Sequence, residues 1–315
     1  MPFNLPGQAG DTLITEAQPR SKTNRHSVLE MAGRYGYILP AIIIVGVITV
    51  LPLLNTIIIS FQSYKLARPQ DREFVGLANY LTLFSEPRVG TAVTNTVIYT
   101  LVTVITSLVL GLAIAILIQG LTIGKPLLRA IFVAPMLLTP AVVGVMWRFL
   151  LNAQAGIFNY FSSSLGFGNP DWLGTPGLAM FSIIVVDVWQ WTPYVFLVML
   201  AGLESLPQEY LEAAHIDGAS SWQRFRYIVL PYLTPLLLIA TLFRFTWAFR
   251  GFDHIYTLTQ GGPGNATETL ALSVWRTGFV GLDLGVASAI SVVMMLVLTI
   301  FSLVILRSLS RQLKS

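Results

Sequence analysis

The chain has 315 residues, 54% hydrophobic and 11% charged, against about 25% charged in a soluble domain. So few charges cannot clothe a water-facing surface, so most of the exterior must face lipid; a mean hydropathy of +0.70 agrees. The net charge of +4 resides in a few basic residues beside apolar segments, which points to membrane orientation and away from nucleic acid. Without cysteine there are no disulfides, thiolate metal sites or cysteine nucleophiles, and His26, His215 and His254 are too scattered for a zinc site.

Residues 1–34 are polar and basic, with Arg20, Lys22, Arg25 and Arg34, and lack the early apolar core of a cleavable signal peptide. They are expected to form a disordered cytoplasmic tail. A helix needs about 20 mainly apolar residues to cross a bilayer, and six stretches qualify: Tyr37 to Phe61, Val93 to Ile118, Leu127 to Leu151, Leu178 to Ala201, Leu230 to Phe249 and Leu284 to Leu306. The expected fold is an all-α integral membrane protein with one six-helix domain over 35–307 and a cytoplasmic C-terminal tail over 308–315. Prolines at 40, 52, 135, 140, 193 and 235 predict kinks in several spans. Placing the N-terminus inside puts eleven of the 19 basic residues on the cytoplasmic side and five outside, so both termini and the segment between helices four and five face the cytosol.

That segment, Glu204 to Pro231, is too polar to cross and too rich in helix formers to be a plain loop. Tyr210, Ala213 and Ala214 recur at helical spacing, Gly218 follows as a terminator, and Ser220 or Ser221 can cap a second short helix. An amphipathic helix lying on headgroups would need a basic polar face. Glu204, Glu209, Glu212 and Asp217 make this one acidic, which favours a protein partner.

The order Glu212, Ala213, Ala214, three residues, Gly218, nine residues, Ile228, one residue, Leu230 and Pro231 resembles the EAA loop of permease subunits in ATP-binding-cassette (ABC) importers. The resemblance implies a cytosolic coupling helix between helices four and five, with Glu212, Ala213, Ala214, Asp217, Gly218, Ala219, Ile228, Leu230 and Pro231 meeting an ATPase subunit. VDVWQWTPYVFLVMLAGLESLPQEYLEAAHIDGA and FRGFDHIYTLTQGGPGNATETL are similar to the carbohydrate uptake branch, the group of maltose and trehalose permeases. That branch implies a bacterial inner-membrane location, a second homologous permease, two ATP-binding subunits carrying ATP and Mg, and an extracytoplasmic solute-binding protein. No cofactor is implied in this chain, which would be a non-enzymatic pathway for a sugar or related polyol.

Asp187, Gln190, Trp191 and Tyr194 fall at i, i+3, i+4 and i+7 on one face of the fourth helix, with Asp187 near the bilayer midplane. Arg244, Trp247 and Gly251 share a face of the fifth. Asp187 and Arg244 either form a structural ion pair, which is favoured, or border a wet cavity. Gln190, Trp191, Tyr194 and Trp247 are the candidates for the solute path, because amides and aromatic faces suit sugars; helix packing is the alternative for each. An importer of another polar solute such as glycerol phosphate, or an ion-coupled carrier, is the competing function, although a carrier has no use for an EAA loop. An enzyme would need convergent groups, and neither GxSxG nor HExxH occurs.

Overall fold

A computed structural model describes residues 37–121 and 123–312. The expected tail over 1–34 and the last residues, 313–315, lie outside the described residues. The chain divides into two units, 1–54 and 55–315.

The first helix, α1 (Leu39–Ser60), carries a mostly apolar surface, and none of its residues before Ile59 is buried. It contains a π-helical turn over Gly46–Val50, ahead of Pro52, whose missing N–H removes one rung of the ladder. In the second unit a short hairpin follows, with β1 (Gln62–Ser63) antiparallel to β2 (Glu73–Phe74). Asn79 of α2 (Ala78–Ser85) donates to the carbonyls of Ser60 and Gln62 at 2.8 and 2.9 Å and so fixes the hairpin's base. A long span, α3 (Pro87–Gln119), opens on a proline at its first turn.

The third expected span is not one helix. It consists of α4 (Lys125–Val133) with a 3-10 turn over Ala134–Leu137, and α5 (Pro140–Leu150), bent by 97° at the junction. Leu138 and Thr139 are extended, at ψ 146° and 140°. A residue preceding proline is driven out of the α region, and Pro140 has no amide to continue the ladder. Among the described residues there are therefore five membrane-length helices, or six when the bent pair counts as one.

Beyond α6 (Ile157–Ser164), the chain re-enters as α7 (Pro176–Ser205). Helices α3 and α7 form the most extensive pair. A Cβ at Gly111 would stand 2.6 Å from Val195 Cβ, so only glycine permits this approach. Two short helices, α8 (Gln208–Ile216) and α9 (Ser221–Arg224), lead through a π-helical turn over Phe225–Val229 into α10 (Leu230–Phe249). Next come α11 (Asp253–Leu258), α12 (Leu270–Trp275) and α13 (Leu284–Gln312). The last helix continues past Leu306, so the described part of the expected C-terminal tail is helical.

Of three apolar cores among the described residues of the second unit, two surround the polar groups of the candidate site. One joins Tyr99, Val143, Ile183, Ala248 and Ile255. The other joins Ala115, Val195, Met199, Leu233 and Ala240. Both run through α3, α7 and α10, so these three helices position the polar groups described next.

Candidate functional site

Asp187 and Arg244 sit side by side on α7 and α10, and their side chains are 4% and 0% exposed. One Arg244 nitrogen donates to Asp187 Oδ1, and its Nε donates to Ser107 Oγ at 3.2 Å. Tyr99 donates its hydroxyl to Asp187 Oδ2 at 2.7 Å, and His254 Nδ1 stands 3.6 Å from the same oxygen. A carboxylate at this depth would be costly alone. Here one guanidinium, one phenol and one imidazole surround it.

Gln190 is wholly buried. Its Nε2 donates to the Leu138 carbonyl at 2.8 Å, and its Oε1 is 2.6 Å from His254 Nε2. The amide is thus engaged at both ends by groups of the same chain, and Gln190 does not line the nearby cavity. The i+3 spacing put it on the Asp187 face, but one turn of helix is enough to turn it toward the bend in the third span.

That cavity measures about 270 Å³ and is walled by Trp191 and Trp247, with Asp187, Tyr99 and His254 beneath and Arg250 and Asp253 beside them. The two indoles pack at a tilt of 35°, 5.1 Å between centroids, and Tyr194 meets Trp247 edge-on at 4.8 Å. Tyr194 supports this wall from behind and does not line the cavity. Asp187 and Asp253 contribute two negative charges and Arg250 and Arg244 two positive ones, so the surroundings balance to zero.

Tyr99, Ser107 and His254 were not among the residues singled out from sequence. Nothing in local spacing brings positions this far apart together. The buried-charge argument at Asp187 named Arg244 as its partner, which the structure bears out, but gave no ground for choosing Tyr99 or His254. A second such centre is Glu268, whose side chain is 0% exposed. It accepts from Arg88 at 3.0 Å, Arg276 at 2.5 Å and Ser273 at 2.7 Å. Asn95 donates to the carbonyls of Asn265 and Glu268, and Thr96 Oγ1 takes the Leu270 amide. The glycine-rich segment before α12 is tied down by these bonds.

On the loop carrying α8 and α9 the local rules are visible in full. Gly218 has φ +78°, and the chain closes α8 with Ala219 N–H to Ala214 O at 2.9 Å and Gly218 N–H to His215 O at 3.1 Å, a Schellman ending. Open space surrounds the Gly218 Cα, so the left-handed backbone is what requires glycine there. Ser220 caps α9 in a reciprocal box with Gln223. Glu212, Ala213, Asp217 and Pro231 are exposed, while Ala214, Ala219, Ile228 and Leu230 are half-buried. Ile216, Trp222 and Tyr227 are 85%, 68% and 75% exposed. The end of α7 is anchored by an Arg129–Glu204 ion pair, by Gln119 Nε2 on Leu203 O and by Tyr232 OH on Ser205 O.

Five or six membrane-length helices among the described residues, some of them packed around buried polar groups, define the chain as a polytopic integral membrane protein. Residues 107–315 match the family model of binding-protein-dependent transport system inner membrane components, and the chain belongs to that family. A probable ABC transporter permease of Sinorhizobium fredii is 39% identical, over 88% of this chain and 91% of that protein. The trehalose/maltose transport system permease of Thermococcus litoralis is 38% identical, over 87% and 92%. The trehalose transport system permease of Mycobacterium tuberculosis is 35% identical, over 80% of each. In fold, the chain is similar to a bacterial ABC transporter for the import of alginate, at a TM-score of 0.79 and 20% identity, over 90% of this chain and 99% of that one.

Proposed function

We propose that this importer permease carries a neutral, polyhydroxylated solute, a sugar or a close relative, through a pathway that includes the Trp191–Trp247 cavity. The observation that carries the reading is the cavity's make-up: two indoles packed against each other beside balanced charges. Aromatic faces bind the C–H surfaces of sugars, and a neutral setting favours an uncharged solute over a phosphate ester. Relatives named for trehalose and maltose support the same class.

In this reading α8 and α9 form the coupling element, and Glu212, Ala213, Ala214, Asp217, Gly218, Ala219, Ile228, Leu230 and Pro231 meet an ATP-binding subunit in the cytosol. ATP and Mg belong to two such subunits, a second permease completes the pathway, and an extracytoplasmic binding protein delivers the solute. Both termini are cytoplasmic, with 35–307 as the membrane domain.

The experiment is uptake by proteoliposomes holding the assembled transporter, against a panel of disaccharides, polyols, glycerol phosphate and amino acids. Disaccharides or polyols should be transported, and Trp191→Ala should lower that uptake by about tenfold, as expected for losing roughly 1.4 kcal/mol of solute contact, with subunit assembly intact. Uptake confined to charged solutes, or unchanged in Trp191→Ala, would overturn the reading.

A further inference from the structure

One side chain joins the bend of the third span to the floor of the cavity. The ladder of α5 begins with Val143 N–H on Thr139 O at 3.1 Å, so the Leu138 carbonyl lies outside it and takes its hydrogen bond from Gln190 at 2.8 Å. Broken helices survive at membrane depth where neighbouring groups satisfy the freed backbone. From the same amide a second contact runs to His254, 2.6 Å away, and from His254 to Asp187, 3.6 Å away. Tyr99, Asp187 and His254 line the cavity, while Gln190 is fully buried behind them.

We propose that Gln190 is a positioning residue of transport: it holds the bend at Leu138 to the cavity floor, and solute hydroxyls competing for Asp187 and His254 loosen that hold. The inference rests on the cavity being the solute pathway. An amide suits the task because it offers a donor and an acceptor in one plane, where a carboxylate offers acceptors and an ammonium donors. In low dielectric a bond gained or lost at His254 alters its neighbour in the chain, so a solute two groups away changes the strength of the Leu138 contact. A solute can shift the bend only through such a differential interaction. A structural bracket alone would keep the bend in one place whether or not solute is present.

The test uses the whole transporter in proteoliposomes, with this naturally cysteine-free chain carrying spin labels at Leu137→Cys and Gln208→Cys, both exposed positions. In the wild type the label distance should change only when sugar-loaded binding protein is added. Gln190→Met, which keeps the volume and loses both bonds, should show the changed distance without it and raise unstimulated ATP hydrolysis about fivefold or more. Gln190→Glu, which keeps an acceptor for His254 and loses the donor to Leu138, decides the matter by the same ratio if Gln190→Met does not assemble. Wild-type distances and a wild-type ratio of stimulated to unstimulated hydrolysis in the assembled variant would overturn the proposal. Failure of the sugar reading looks different: no sugar would stimulate the wild type, while the label distance in Gln190→Met would still report on the bend.

Discussion

The cavity floor and the loop carrying α8 and α9 treat their polar groups in opposite ways. Around Asp187 nearly every donor and acceptor finds a partner within the chain: Arg244, Tyr99 and His254 meet the carboxylate, and Gln190 spends its amide on Leu138 and His254. On the loop the backbone is fully managed by a Schellman ending and a capping box. Its side chains are not: Glu212 and Asp217 form no ion pair with any described residue, and Ile216, Trp222 and Tyr227 stand exposed. Self-sufficiency marks the first region as a framework that must survive without a partner. A well-ordered backbone with exposed, unpaired side chains is what the proposed coupling role would ask of the second.

The largest effect should come from breaking the framework. Asp187→Ala leaves Arg244 buried and uncompensated, and removing one member of a buried pair costs about 3–5 kcal/mol. The double replacement Asp187→Leu with Arg244→Met should recover most of that loss, because the desolvation of both charges disappears together. Thermal or denaturant unfolding of the detergent-solubilised transporter measures both. Equal destabilisation of the single and double variants would mean that the charges are not acting as a pair.

The loop should respond in the opposite sense, losing association while keeping stability. Glu212→Ala removes an exposed carboxylate with no ion-pair partner among the described residues, so the chain's own unfolding should change by less than about 0.5 kcal/mol. If a basic group of the ATP-binding subunit is left unpaired, affinity for that subunit should fall by about 2–5 kcal/mol. Gly218→Val, forced into φ +78°, distorts α8 relative to α9 and should abolish solute-stimulated hydrolysis. Normal subunit affinity for Glu212→Ala and normal stimulation for Gly218→Val would together remove the coupling role of this loop.

Legibility followed the same division. The loop was readable because its determinants are local: Gly218 ends one helix and Ser220 begins the next, within a few residues of each other. The fifth span, Leu230–Phe249, has the bounds its apolar run predicted. The bend at Leu138–Thr139 was signalled by Pro135 and Pro140, yet kinks are common enough in static bundles that the prolines alone could not give a 97° turn. Of the set around Asp187, the pairing with Arg244 was readable from matching depth on two helices, whereas Tyr99, 88 positions away, and His254 were not. Helical periodicity supplied the face of α7 but not the Leu138 carbonyl and His254 that hold the Gln190 amide.

The smallest effect separates the loop's backbone from its surface. Ser220 accepts from Gln223 N–H at 3.2 Å while Gln223 Oε1 accepts from Ser220 N–H at 2.7 Å, so two donors at the start of α9 are satisfied by two side chains. Ser220→Ala removes one of the two bonds and should cost about 1 kcal/mol of local helix stability. Because α9 is only four residues long and runs into the π-helical turn before α10, that loss should appear as faster amide exchange over Ser221–Arg224 with little change in global unfolding. Affinity for the ATP-binding subunit should fall by no more than this amount, since binding needs the helix ordered but does not use the serine hydroxyl itself. Threonine, which retains the hydroxyl, should restore both readouts. If Ser220→Thr binds as weakly as Ser220→Ala, the hydroxyl is not acting as a cap, and shape at this position matters more than helix order.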